Sequence, residues 1–282
     1  MATMEITTRI GCKNRCAYCP QNKLINAYNV KGSVFEMSLE TFKKCIDKLP
    51  KSVDIEFSGF SEPWLNKECT QMALYAHARG HRLRVYTTLV GMTIDHWQQL
   101  KDIPFESFWI HLPTGDGSDS ISVDDQYLEL LKEVSVFFDD HQGSIDVSYH
   151  VRGKTTHSEV KQVLGDRIEN RGIGARSGNV EDGVKNTIKR RKGKIGCKRN
   201  LRQNILLPNG DVVLCCMDYG LKHSLGNLLT DSYQSLFESD EFKRVNRGLS
   251  DGSMDILCRY CDMLAYDANL MTKIINKVRN LF

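Results

Sequence analysis

The chain lacks any apolar run approaching the roughly 20 residues that a membrane-spanning helix requires. Met1–Ile10 lacks the apolar h-region of a secretory signal. Neither sign of charge dominates: 38 Lys and Arg stand against 35 Asp and Glu, and a net of +3 is too mild to argue for nucleic acid. Internal repeats and low-complexity tracts are absent too, so solenoids and disordered tails are set aside. These absences predict a cytoplasmic protein with no membrane and no nucleic-acid partner. Thiols stay reduced there, so clustered cysteines read as metal ligands rather than disulfides. At 282 residues the chain suits one large domain, or one plus a small appendage.

Ten cysteines are present, and their placement is uneven. Cys12, Cys16 and Cys19 form a C-x3-C-x2-C run, Cys197, Cys215, Cys216, Cys258 and Cys261 lie late, and Cys45 and Cys69 stand alone. Three adjacent thiolates can hold three corners of a four-iron cube and leave the fourth iron without a protein ligand. A structural zinc site with one distant fourth ligand is the rival reading.

The rest of the chain alternates strand and helix signals. Strands are predicted at Met4–Ile10, Val53–Ser58, Arg82–Thr88, Phe105–Leu112 and Ser144–His150. Between them, helices are predicted from an N-cap at Ser38 with Leu39, Phe42, Ile46 and Leu49 as the apolar face, then over Lys67–Arg79, Ile94–Leu100, Asp125–Asp139 and His157–Leu164. Gly80 closes one of them as a C′ glycine. Repeated βα units argue an α/β fold with a parallel sheet, a partial (β/α) barrel of TIM type, with chemistry at the C-terminal strand ends. Asn170–Gly196 is glycine-rich, poor in apolar residues, and carries the basic run Lys189–Lys194; it reads as a solvated linker. Gln203–Leu207 and Val212–Cys216 flank an Asn209-Gly210 hairpin turn, and helices are expected near Tyr233–Asn246 and Ala268–Phe282. The domains expected are therefore 1–170 (barrel), 171–196 (linker) and 197–282 (a small hairpin-plus-helix unit). His111 and His150 end their strands and read equally as buried structural histidines or as site residues, whereas Cys45 and Cys69 on their helices read as structural.

With Cys12, Cys16, Tyr18 and Cys19 matching C-x3-C-x-aromatic-C after a first strand, the chain resembles the radical S-adenosylmethionine (SAM) superfamily. That resemblance implies a [4Fe–4S] cluster on Cys12, Cys16 and Cys19 whose open iron binds SAM. One electron then cleaves SAM to methionine and a 5′-deoxyadenosyl radical that takes a hydrogen atom from substrate. Phe60-Ser61-Glu62-Pro63 corresponds to the family's Gly-Gly-Glu-Pro motif, so Phe60, Ser61 and Glu62 are expected at the SAM ammonium. Both glycines are replaced here. Thr88 ends strand three, where relatives often place a polar residue near SAM.

The late cysteines resemble the twitch domain, a shortened SPASM domain. The resemblance implies one auxiliary [4Fe–4S] cluster on Cys197, Cys215, Cys258 and Cys261, with a zinc ribbon as the alternative. Adjacent strand side chains face opposite ways, which leaves Cys216 as a buried spare thiol. Within the superfamily the chain is most similar to the dehydrogenases of aminoglycoside biosynthesis, which oxidise an alcohol of 2-deoxy-scyllo-inosamine. Asn170-Arg171-Gly172 matches a stretch in which the arginine contacts substrate, so Arg171 is expected to bind substrate or stabilise its deprotonation. Extra residues around Val151–Asp166 and a longer linker depart from those enzymes. The expected function is oxidation of a sugar or cyclitol alcohol to a ketone, with the auxiliary cluster as electron acceptor and a low-potential flavodoxin or ferredoxin as donor. A peptide-modifying maturase and a metal-stabilised, non-catalytic binding protein are the alternatives.

Overall fold

The computed structural model describes residues 2–141, 143–174, 176–180, 189–261 and 264–265. The helix expected at Ala268–Phe282 lies outside them. In chain order the elements are β1 (Ala2–Ile6), α1 (Gln21–Lys31), α2 (Leu39–Ile46), β2 (Val53–Phe57), α3 (Cys69–Ala78), β3 (Leu83–Thr87), α4 (Ile94–Leu100), β4 (Ser107–His111) and α5 (Asp125–Asp140). They continue with β5 (Asp146–Val151), α6 (Ser158–Leu164), β6 (Ile168–Asn170), β7 (Gly196–Cys197), β8 (Gln203–Leu206), β9 (Asp211–Val213), β10 (Ser224–Asn227), α7 (Asp240–Ser250) and β11 (Leu264–Ala265).

One nine-stranded sheet carries the molecule, in the order β10-β9-β8-β1-β2-β3-β4-β5-β6. Strands β1 to β6 are parallel to one another, which places the loops that follow them at one end. This is the expected α/β architecture, a partial (β/α) barrel. The C-terminal hairpin is not a separate layer: β8 pairs with β1 in parallel, and β9 and β10 add antiparallel strands beyond it.

Alternation along the strands sorts the two faces. Met4, Ile6, Ile55, Phe57, Val85, Phe108 and Ile110 are buried in the apolar core shared with the helices. The other face turns Thr3, Glu5, Glu56, Arg84, Tyr86, Ser107 and Trp109 into a cavity. A second apolar cluster joins α1 (Leu24, Tyr28) to β8, β9 and the residues after them, including Ile205, Val213, Cys216 and Tyr219.

Local signals explain most helix ends. Ser38 caps α2 by accepting from Thr41 N at 3.1 Å, and Gly80 has φ +85° and bonds back to His77 O. Helix α1 was not expected: only Leu24 and Tyr28 are buried in it, too thin a stripe for a periodicity signal. The helix expected at Tyr233–Asn246 is interrupted, because Ser239 caps a new start by accepting from Phe242 N at 3.2 Å.

The basic run is tied down. Arg259, fully buried between Cys258 and Cys261, donates to the carbonyls of Arg191 (3.2 Å), Gly193 (2.5 Å), Gly248 (2.6 Å) and Asp251 (2.8 Å). Arg190 donates to the carbonyls of Gly252 and Met254. Segment 189–195 therefore lies against the end of α7 rather than swinging in solvent.

Candidate active site

Loops after β1, β2, β3 and β4 build the first cleft. Cys12, Cys16, Tyr18 and Cys19 come from the β1 loop, Phe60, Ser61 and Glu62 from the β2 loop, and Thr88 from the end of β3; all eight line one space of about 100 Å³. Gly59 makes the β2 loop possible. Its φ is +76°, and a Cβ there would sit 2.3 Å from Thr7 Oγ1. With that approach open, Phe60 N donates to Thr7 Oγ1 at 3.1 Å and Ser61 Oγ donates to Arg9 O at 2.8 Å. The freedom that two glycines would give at 60 and 61 is supplied one residue earlier. The Phe60 carbonyl accepts from Gln21 Nε2, and its ring lies 4.9 Å from Tyr219.

Glu62 is buried and saturated. Its Oε1 accepts from Thr87 Oγ1 (2.7 Å) and Trp64 N (3.2 Å), and its Oε2 from Thr88 N (2.6 Å) and Thr88 Oγ1 (2.7 Å). Burial raises its pKa against the pull of these donors. Thr88 Oγ1 also accepts from Asn14 Nδ2 at 2.9 Å, so the cysteine loop is braced to Glu62 through one hydroxyl. Tyr18 and His111 share a 2.5 Å hydrogen bond, and His111 belongs to the cleft. Burial, then the charges of Arg152 and Arg176, push its pKa down to about 3. Asn14, His111, Arg176 and Tyr219 are site residues that the sequence reading did not select. Asn14 sits inside the cysteine motif and His111 at a strand's C-terminal end, which are signals; Arg176 and Tyr219 carry none.

A second cavity, of about 30 Å³, is lined by Cys197, Cys215, Cys258 and Cys261, with Leu201, Leu214, Met217 and Leu257 as its apolar wall. Cys216 is absent from it and lines the barrel cavity instead, where Arg199 Nη1 donates to its sulfur at 2.7 Å. The two cysteines lie in the turn after β9 rather than in the expected strand, and there they face different cavities. Burial pushes the Cys16 and Cys258 thiols up to about 12 and Cys215 well above its ordinary value. Sulfur-lined, water-poor cavities of this kind suit iron–sulfur ligation, because a bound cation offsets the burial that otherwise keeps the thiols protonated. Among the described residues, no group of three or more His, Cys, Asp or Glu side chains converges as a single-ion site.

The barrel cavity lies between these two spaces. It shares Tyr18, Tyr86 and Arg176 with the cleft, and Arg199, Gln203 and Met217 with the second cavity. Arg171 stands at its edge: it pairs with Glu169 (2.9 Å), donates to Ser148 Oγ (2.9 Å) and covers the Trp109 ring at 4.7 Å. Arg171 is held near the cavity without lining it.

Glu5 and Glu56 are register partners on β1 and β2, and both line the cavity. Burial first, then the Glu56 charge, raises the Glu5 pKa from 4.5 to about 8. A carboxyl raised on folding costs stability as pH climbs from 4.5 through 8, because the unfolded chain gives up that proton first. Glu5→Gln is therefore expected to be more stable than the parent at pH 8, by on the order of a few kcal/mol, with the gap closing toward pH 5. Thermal unfolding followed across that range checks it; a gap independent of pH contradicts it.

Comparison with known proteins gives three findings. Residues 197–262 match the SPASM family, described as an iron-sulfur cluster-binding domain. No curated protein sequence matches the chain. Among solved structures, BtrN in complex with AdoMet and 2-DOIA is similar at 15% identity and TM-score 0.54, covering 89% of this chain and 88% of that one. SuiB of Streptococcus suis bound to precursor peptide SuiA gives 12%, 0.58, 96% and 73% in the same terms. Native anSMEcpe with bound AdoMet gives 11%, 0.54, 86% and 81%. At these identities the likeness is one of fold.

Proposed function

We propose that this protein is a radical SAM oxidoreductase that oxidises an alcohol of a sugar or cyclitol to a ketone. The observation that carries this reading is the serial arrangement of three spaces: a three-cysteine cleft, a barrel cavity, and a four-cysteine cavity, each sharing a wall with the next. Cys12, Cys16 and Cys19 would hold a [4Fe–4S] cluster that binds SAM, and Cys197, Cys215, Cys258 and Cys261 an auxiliary [4Fe–4S] cluster. When bound, these groups supply reductive cleavage of SAM to a hydrogen-abstracting 5′-deoxyadenosyl radical and, at the far side, an electron acceptor. AdoMet is bound in two of the similar structures.

The chain's own residues do the rest. Glu62, through Thr87 and Thr88, fixes the wall opposite the cysteine loop and supplies negative charge toward the SAM ammonium. Tyr18 and His111 close the cleft toward the barrel. Arg171, held by Glu169 and Ser148 just outside the cavity, would meet a substrate oxygen only by turning from those partners. A low-potential flavodoxin or ferredoxin serves as the reductant.

Peptide modification is the second reading, favoured by the similarity to SuiB with its precursor peptide. Iron and acid-labile sulfide counting on anaerobically reconstituted protein tests the two-cluster reading. About eight of each per chain is expected; about four, with zinc in the late cysteines, overturns it.

A further inference from the structure

The arginines around the barrel cavity differ in how their charge is met. Arg84 pairs with Asp54 (3.0 Å), Arg171 with Glu169 (2.9 Å), and Arg199 donates to Cys216 Sγ (2.7 Å) with the Glu5 carboxyl 3.6 Å away. Arg152 and Arg176 have no carboxylate partner among the described residues. Arg152 donates Nη1 to Gly172 O at 3.0 Å, while its buried Nε has no hydrogen-bond partner. Among the described residues Arg176 makes no side-chain hydrogen bond; it has the Tyr18 ring at 5.9 Å and Tyr219, Cys216 and Cys19 as polar neighbours. Both guanidiniums are half-buried on one cavity wall with no carboxylate against them, and one has a buried, unpaired Nε, which points to a ligand that completes them.

Asp116, exposed beside this segment, accepts from Ser118 N and Lys154 N and not from Arg152. His111 and His150 are the nearest titratable rings; both lie well below their ordinary range, burial being the first cause and the Arg152 charge a contributor to each. Glu5 and Glu56 both have raised pKa values from burial, which keeps Glu5 protonated at neutral pH. Lys198, exposed on the rim, adds a further positive charge. Arg176 also holds φ at +48°, a left-handed conformation that costs a non-glycine residue about 1 kcal/mol.

We propose that Arg152 and Arg176 form an oxyanion-binding site at the upper end of the barrel cavity, and that the substrate carries the matching phosphate or carboxylate. Identification of the ligand as substrate rests on the function proposed above. The carboxylate of SAM offers the same chemistry, because Arg176 also borders the cleft; Arg152 lines the barrel cavity and not the cleft, which favours the substrate.

The probes are myo-inositol and myo-inositol 1-phosphate, titrated calorimetrically into the reconstituted protein. The phosphorylated probe is expected to bind roughly 10- to 100-fold tighter, the range for hydrogen bonds to a charged group. Arg152→Gln and Arg176→Gln should each erase most of that preference. Arg152→Lys and Arg176→Lys, which keep the charge, should retain part of it and so separate charge loss from misfolding. Equal affinity for the two probes, or a preference that survives both glutamine variants (as binding to Lys189–Lys194 would), overturns the proposal. So does a result in which Arg176→Gln weakens SAM but not 5′-methylthioadenosine while Arg152→Gln changes nothing, which assigns the anion to SAM. These are equilibrium measurements, so absence of SAM cleavage would sink the radical reading and leave them interpretable.

Discussion

Cys16→Ala is expected to reduce 5′-deoxyadenosine formation to background and to lower iron from about eight to about four atoms per chain. The three thiols of the cleft are drawn from eight consecutive residues, and no fourth cysteine lines that space. Removing one of three ligands leaves a cube held at two corners. The four-cysteine cavity is built from β7, the end of the β9 hairpin and the Cys258–Cys261 turn, so its iron should remain. Cys258→Ala is expected to do the reverse: the same loss of about four irons, with SAM cleavage retained and ketone formation lost. Iron assay and chromatography of the nucleoside product, run on both variants, check the pair. Loss of SAM cleavage to the same degree in both would mean that the two cavities are not functionally distinct.

Glu62 should be the most sensitive residue outside the cysteines. Its four accepted hydrogen bonds join the β2 loop to the end of β3 and, through Thr88, to Asn14. Glu62→Ala strands buried donors on Thr87, Thr88 and Trp64, each costing about 1–3 kcal/mol when left unpaired. Glu62→Gln keeps the shape but turns one accepting edge into a donor facing donors. Both variants are expected to lose SAM affinity, roughly 30-fold or more by the usual cost of breaking a buried charged pair. Only Glu62→Ala should also lower the melting temperature markedly. Equilibrium dialysis with SAM, beside thermal unfolding, separates the effects; unchanged SAM affinity in Glu62→Gln would remove Glu62 from cofactor binding.

The cleft was legible because its chemistry is written locally. Cys12, Cys16, Tyr18 and Cys19 are a motif, Glu62-Pro63 keeps the second half of another, and Thr88 ends a strand. The barrel was legible because alternating βα signals leave few topologies. What the pattern concealed lies in tertiary closure. The basic segment looked like a linker because it is poor in apolar residues; it is held instead by backbone carbonyls accepting from Arg259, a bond type that composition does not record. Arg176 falls in that same glycine-rich stretch, yet the fold carries it between two cavities. Arg171, the residue that family likeness singled out, is already satisfied by Glu169 and Ser148.

Glu5 and Glu56 left a trace that could have been followed. Each is a charged residue at an inward position of a strand whose other face, Met4 and Ile6 or Ile55 and Phe57, is apolar. A charge pointing into an enclosed barrel is expensive unless something uses it.

The central claim is that the three-cysteine cleft cleaves SAM. Reconstituted protein incubated anaerobically with SAM and dithionite should release methionine and 5′-deoxyadenosine in equal amounts, as followed by chromatography. An intact cluster signal without any 5′-deoxyadenosine would contradict the account and leave a metal-stabilised binding protein in its place.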